Sequence, residues 1–168
     1  MEAEERKQFV RRYRTCIFGY NRKHDGPSMS VTYYMMYDPD TILISTMAAR
    51  GKAKAVARNP KVSLCVLDEK WPPTYIQVYC DARIDATMES DPQRVVDSMM
   101  RLYRVMADKP MPETVRAEAA ETARREQRVI LLLKPYATFE TPPRHVYSEK
   151  DAVGLTHWTG QLMPWTFG

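Results

Sequence analysis

Three consecutive pieces of sequence decide how this chain is read: Thr41-Ile42-Leu43-Ile44-Ser45-Thr46, then Ala49-Arg50-Gly51-Lys52-Ala53-Lys54, then Val62-Ser63-Leu64-Cys65-Val66-Leu67. The outer two are short apolar runs bounded by turn residues and are predicted as strands, with a short basic helix between them. A strand that feeds a helix start carrying Arg50, Lys52 and Lys54 offers an anion free N–H groups, the positive helix end and charged donors together. Gly51 removes a side chain where a ligand would approach the backbone. The same three cations also suit the solvated outer face of a connecting helix, and spacing alone does not choose between the two.

With 168 residues, 44% of them hydrophobic, the chain is long enough for one core and short for two ordinary domains. A formal charge of +4 favours an anionic ligand but is too small and dispersed to demand nucleic acid. Cys16, Cys65 and Cys80 are odd in number and each lies in an apolar strand pattern, so reduced cysteines are expected rather than a disulfide framework. His24, His145 and His157 show no metal-ligand spacing, and no metal site is expected. The opening Met1 to Arg6 has no apolar signal region, and no later run is long enough to span a bilayer, so a cytoplasmic location without a membrane partner is expected.

In chain order, Glu2 to Arg14 reads as a helix with Phe9, Val10 and Tyr13 on one stripe. Its basic face of Arg6, Lys7, Arg11, Arg12 and Arg14 suits either solvent or an acidic ligand tail. Thr15 to Tyr20 and a long strand from Ser28 to Tyr37 form a hairpin across Asp25-Gly26, and neither face of the second strand is plainly solvent. Asn59-Pro60 ends the basic helix. After the Trp71-Pro72-Pro73 loop, Ile76, Val78, Cys80, Ala82 and Ile84 alternate with polar positions in a strand whose Tyr75 and Gln77 border that loop. Asp91-Pro92 opens a helix with Val95, Met99, Leu102, Tyr103 and Met106 on a core face. An exposed helix from Glu113 to Gln127 and a buried strand from Val129 follow. The proline-rich, tryptophan-bearing segment after Thr141 is expected to dock on a surface.

Asp25-Gly26-Pro27 through Tyr34, Ile42 to Thr46, Arg50 to Lys54, Arg58-Asn59-Pro60-Lys61-Val62-Ser63-Leu64 and Arg128-Val129-Ile130-Leu131-Leu132, taken in this order, resemble the pyridoxamine 5′-phosphate oxidase-like split β-barrel family. Within it they are most similar to the flavin and deazaflavin reductase branch. The resemblance implies a mainly β (α+β) fold, a homodimeric split barrel of about six to seven strands with flanking helices. The resemblance covers roughly residues 9–140, and the whole chain is read as one domain over residues 1–168: an N-terminal helix over 1–14, the barrel with its helices over 15–140, and a docking tail over 141–168.

It further implies a cofactor held at the subunit interface. Arg50, Lys52 and Lys54, with Gly51, would hold its phosphate. Ser30, Thr32, Ser45 and Thr46 would line the ring and ribityl chain, and Tyr75 and Gln77 would approach from the second subunit. The Arg-Gly-Lys-Ala-Lys form resembles users of the deazaflavin, coenzyme F-420, more than users of FMN, which is the alternative. The expected activity is hydride transfer to an activated double bond of a bulky, for instance polycyclic, substrate. The proton would come from water or from Tyr33, Tyr75 or Tyr79, and no catalytic acid is assigned. An FMN-dependent oxidase or reductase, or a non-catalytic flavin or haem carrier, are the rival readings. Pro164-Trp165-Thr166-Phe167 departs from the tryptophan and arginine pattern of true pyridoxamine phosphate oxidases and argues against that activity.

Overall fold

The apolar runs pair into one curled antiparallel sheet. The computed structural model describes residues 1–68, 70, 74–140 and 161–166; the Trp71-Pro72-Pro73 loop and the tail residues 141–160, with His145 and His157, and 167–168 lie outside the described residues. Helix α1 (Ala3–Arg12) precedes β1 (Thr15–Tyr20), β2 (Ser28–Tyr33), β3 (Met35–Asp38) and β4 (Thr41–Met47). Helix α2 (Gly51–Arg58), β5 (Lys61–Asp68), β6 (Thr74–Thr87), α3 (Pro92–Ala107), α4 (Thr114–Glu126) and β7 (Arg128–Glu140) follow, with a short β8 (Gln161–Pro164). The strand order is β2-β1-β5-β6-β7-β4-β3, and β8 adds to β7.

The long strand expected from Ser28 to Tyr37 is two strands, and they lie on opposite edges of the sheet. The break falls at Tyr34, which is fully buried; its amide donates to the Arg14 carbonyl at 2.9 Å and its phenol to the Val10 carbonyl at 2.5 Å. One residue therefore joins the two edges, and the sheet must curl to allow it. The mixed patterning of the segment has the same origin: Val31 and Tyr33 face outward, whereas Met35 and Tyr37 pack under a helix.

The curl encloses one core and leaves a second outside it. Phe18, Ile42, Ile44, Leu64, Ile76, Val78, Leu131 and Leu133 fill the interior, capped by Phe9 and Val10 of α1 and Ala53 and Val56 of α2. On the outer side of β4 and β7, Leu43, Ile130 and Leu132 pack against Val95, Met99 and Leu102 of α3 and Ala119 and Ala123 of α4. Strands buried on both faces read as continuous apolar runs, which is why Ile42-Leu43-Ile44 and Val129 to Leu133 carry no alternation. Ile84 departs from the expected buried face. It is 38% exposed, and a register shift between Ile84 and Ala86 turns Ala86 toward the outer cluster.

Helix ends place the pieces that matter next. Asp91 caps α3 by accepting from the Arg94 amide at 3.0 Å, with Pro92 in the first turn. Helix α4 closes on Gln127 in the left-handed region at φ 48°, and this reversal delivers Arg128 as the first residue of β7. Among the described residues no helix is long and apolar enough to cross a membrane.

Candidate functional site

Strand β4 ends at Met47, and a tight turn leads into α2, with the Arg50 amide donating to the Met47 carbonyl at 3.0 Å. The Ala48 amide donates to the Gln127 carbonyl at 2.9 Å, and Met47 pairs with Arg128 in the β4–β7 register. The start of α2 is thus fastened beside the start of β7. Arg50 occupies the N-cap without any side-chain cap, and the first turn holds no acid, so the leading amides of α2 lack a side-chain acceptor.

A cavity of about 380 Å³ opens there. Ser30 and Thr32 of β2, Ser45 and Thr46 of β4, and Arg50, Gly51 and Lys52 line it together with Tyr20, Val31, Met47 and Arg128. The pKa of Lys52 is depressed, first by burial and then by the like charges of Arg50 and Arg128, although the neighbouring Cys16 acts the other way. Among the described residues neither Arg50 nor Lys52 nor Lys54 has a carboxylate within ion-pair distance. Cations crowded at an uncapped helix start, with no counter-charge among the described residues, are an arrangement that favours an anion.

A second cavity, of about 370 Å³, continues from the first: Val31, Thr32, Ser45 and Arg128 line both. Its far wall is apolar and sulfur-rich, from Met99, Leu102, Tyr103 and Met106 of α3, with Thr15 and Tyr33 at the rim. Two hydroxyls along the groove, Ser30 Oγ and Ser45 Oγ, are buried with no hydrogen-bond partner among the described residues. Buried polar atoms in folded proteins are nearly always satisfied, so these two mark where a polar ligand group would sit.

Of the residues singled out from sequence, Ser30, Thr32, Ser45, Thr46, Arg50, Gly51 and Lys52 thus meet in one place. Lys54 does not join them; it is exposed, one turn further along α2. Tyr75 and Gln77 also lie elsewhere, on the outer sheet face in register with Leu67 and Cys65, and Gln77 accepts from the Tyr79 phenol at 3.1 Å. Gly51 leaves space for a neighbouring side chain: a Cβ there would come within 2.5 Å of the Tyr20 hydroxyl. Of the suggested proton donors only Tyr33 borders the groove.

Sequence reasoning missed Tyr20 and Arg128, whose places depend on pairing between distant strands, and it read Met99 and Met106 as core alone. Of the five cations expected on the basic face of α1, Arg12 is exposed and takes part in no ion pair among the described residues, whereas the other four are occupied. Lys7 pairs with Asp40 at 2.8 Å, Arg11 with Glu4 at 3.2 Å, and the following Arg14 with Asp108 at 3.0 Å. Arg6 is almost wholly buried and donates to the carbonyls of Met1 and Pro164. Asp40 also accepts from the Trp165 indole at 2.8 Å, so α1 and β8 are strapped to the start of β4, about 20 Å from its α2 end.

The family profile described as pyridoxamine 5′-phosphate oxidase matches residues 3–139. No curated protein sequence matches the chain. Solved structures share the fold, among them the following three. A conserved hypothetical protein from Mycobacterium tuberculosis is 21% identical, with 82% of each chain covered and a TM-score of 0.64. A structure titled F420 reductase is 19% identical over 79% of this chain and 94% of its own, with a TM-score of 0.59. An FAD-binding protein from Mesorhizobium loti is 13% identical over 82% and 92%, also with a TM-score of 0.59. At these identities the likeness establishes the fold alone.

Proposed function

As the chain belongs to the pyridoxamine 5′-phosphate oxidase family, we propose that it is a coenzyme F-420-dependent oxidoreductase acting on an activated double bond of a bulky, flat, apolar substrate. The observation that carries this reading is the continuous groove, which among the described residues is cationic and free of carboxylates at the α2 end and apolar at the α3 end, with unpartnered hydroxyls between. Those three zones match, in order, a phosphate, a ribityl chain and a planar ring.

Lys52, Arg50 and the leading amides of α2 would hold the phosphate, and Lys54 would add only its field. Ser30, Thr32, Ser45 and Thr46 would take the ribityl hydroxyls, giving the orphaned oxygens their partners. When bound, the reduced deazaflavin supplies a hydride. The chain's own part is to orient the ring against α3 and to exclude water with Met99, Leu102 and Met106.

A second copy of the chain is part of the proposal. Met29, Val31 and Tyr33 of β2 and Ile17 of β1 are exposed side by side on the outer face, in cross-strand register, and Leu67 extends the apolar strip on β5. Val31 lines both cavities from that face, so a partner seated there closes the groove, and the partner's copies of the Tyr75 and Gln77 positions would come from the same face. Light scattering of the purified protein is expected to give the mass of a dimer.

The test is fluorescence titration of the purified protein with coenzyme F-420 and, separately, with FMN. F-420 is expected to bind more tightly, and the loaded protein to oxidise the reduced coenzyme when polycyclic enones or quinones are added. Tight FMN binding without F-420 binding would move the protein to the FMN-dependent enzymes. Binding of haem alone would make it a carrier, against the absence of His and Cys from the described residues lining either cavity.

A further inference from the structure

Arg128 lines both cavities, yet its electrostatic situation differs from that of the other groove cations. Its Nε and Nη2 donate to Glu126 Oε2 at 2.7 and 2.5 Å, and the two side chains are only 26% and 21% exposed. Among the described residues Lys52 and Arg50 have no such partner. A phosphate dianion is held best by cations whose charge is uncompensated, and the Glu126 carboxylate beside Arg128 would repel it. A guanidinium has five N–H donors in one plane, and Glu126 engages only part of that set. The remaining donors suit neutral acceptors such as a ring carbonyl or a ribityl hydroxyl. Ser45, with its unpartnered Oγ, lines the same junction.

We infer that Arg128, held in place by Glu126, hydrogen-bonds the uncharged middle of a ring–ribityl–phosphate ligand where the two cavities meet, and so sets affinity for the ring and ribityl portion rather than for the phosphate. This rests on the cofactor class proposed above. Arg128 is then a binding residue, and Glu126 a positioning residue that acts through it.

Two ligand pairs that differ by the phosphate separate the roles: FMN against riboflavin, and coenzyme F-420 against its phosphate-free deazaflavin nucleoside. Affinities are read by fluorescence titration. Arg128→Ala is expected to weaken both members of the pair that binds by the same factor, about tenfold. Lys52→Ala is expected to weaken only the phosphorylated member, also by about tenfold or more. Glu126→Gln, which keeps an acceptor but removes the counter-charge, is expected to raise the preference for the phosphorylated member. Arg128→Lys keeps the charge without the planar fork and carries the test should the alanine variant fail to fold; it is expected to weaken both members. A loss confined to the phosphorylated member in the Arg128 variants, or no loss in either, overturns the inference and leaves the cofactor reading standing. Failure of the unaltered protein to bind either pair overturns that reading and the inference with it.

Discussion

Two basic helices of this chain look alike in sequence and differ in what their cations meet. Helix α1 and the residue after its cap carry Arg6, Lys7, Arg11, Arg12 and Arg14, and all but the exposed Arg12 are held by Glu4, Asp40, Asp108 or backbone carbonyls. Helix α2 opens with Arg50, Lys52 and Lys54, and among the described residues no carboxylate meets any of them. The number of cations does not separate a structural strap from a ligand site; their partners do. Arg12 takes part in none of these pairs, and α1 lies about a strand's length away from the groove of the same protomer.

The sharpest way to break this contrast is to remove cations from each helix. Arg50→Ala combined with Lys52→Ala is expected to weaken a phosphorylated ligand by about a hundredfold, with urea unfolding shifted by less than about 0.5 kcal/mol. Lys7→Ala is expected to leave the affinity unchanged in the same titration. Arg6→Ala is next in size: two carbonyls in a buried place lose their donor, and a stability loss of about 1–3 kcal/mol in urea denaturation is expected without a change in ligand affinity.

Smaller effects sharpen the account of the groove between the cations and α3. Ser30→Ala and Ser45→Ala each remove an orphaned hydroxyl, so the ligand-free protein is expected to keep its melting temperature or gain slightly, while ligand affinity falls by about fivefold. Equal destabilisation of the free protein would mean that the hydroxyls already have partners.

The smallest effects are on pH. Burial, with Arg50 and Arg128, lowers the Lys52 pKa, so phosphate-dependent affinity is expected to fall with rising pH earlier than an ordinary lysine would allow. In the window between that depressed value and the ordinary one, the unfolded chain binds more protons than the folded one, and ligand-free stability rises with pH. Asp40 behaves in the opposite region. Hydrogen bonds from Lys7 and Trp165 lower its pKa, so its contribution is present above the ordinary carboxylate value and is lost as pH falls through the folded one. Asp40→Asn is expected to flatten that acid limb in a pH series of thermal melts.

The legible part of the molecule is the local part. The β4, α2 and β5 segments announced themselves by short-range pattern, and so did Asp91-Pro92 at the start of α3, because strand runs, caps and proline breaks are read within a few residues. Tyr34 hid the break between β2 and β3: its neighbours all favour extended structure, and only burial of its ring beneath α1 turns the chain from one sheet edge to the other. Arg128 was invisible as a groove residue because Gln127 in the left-handed region and the pairing of β7 with β4 bring it there. The cations of α1 were misleading for the same reason, since Asp40 and Asp108, which occupy Lys7 and Arg14, lie far along the chain.

The most direct test is a crystal structure of the protein grown with coenzyme F-420. The phosphate is expected within about 3 Å of Lys52 Nζ at the start of α2, with the ring lying toward Met99 and Met106. A phosphate seated on α1, or a coenzyme bound outside the groove, would contradict the assignment of α2 as the anion site.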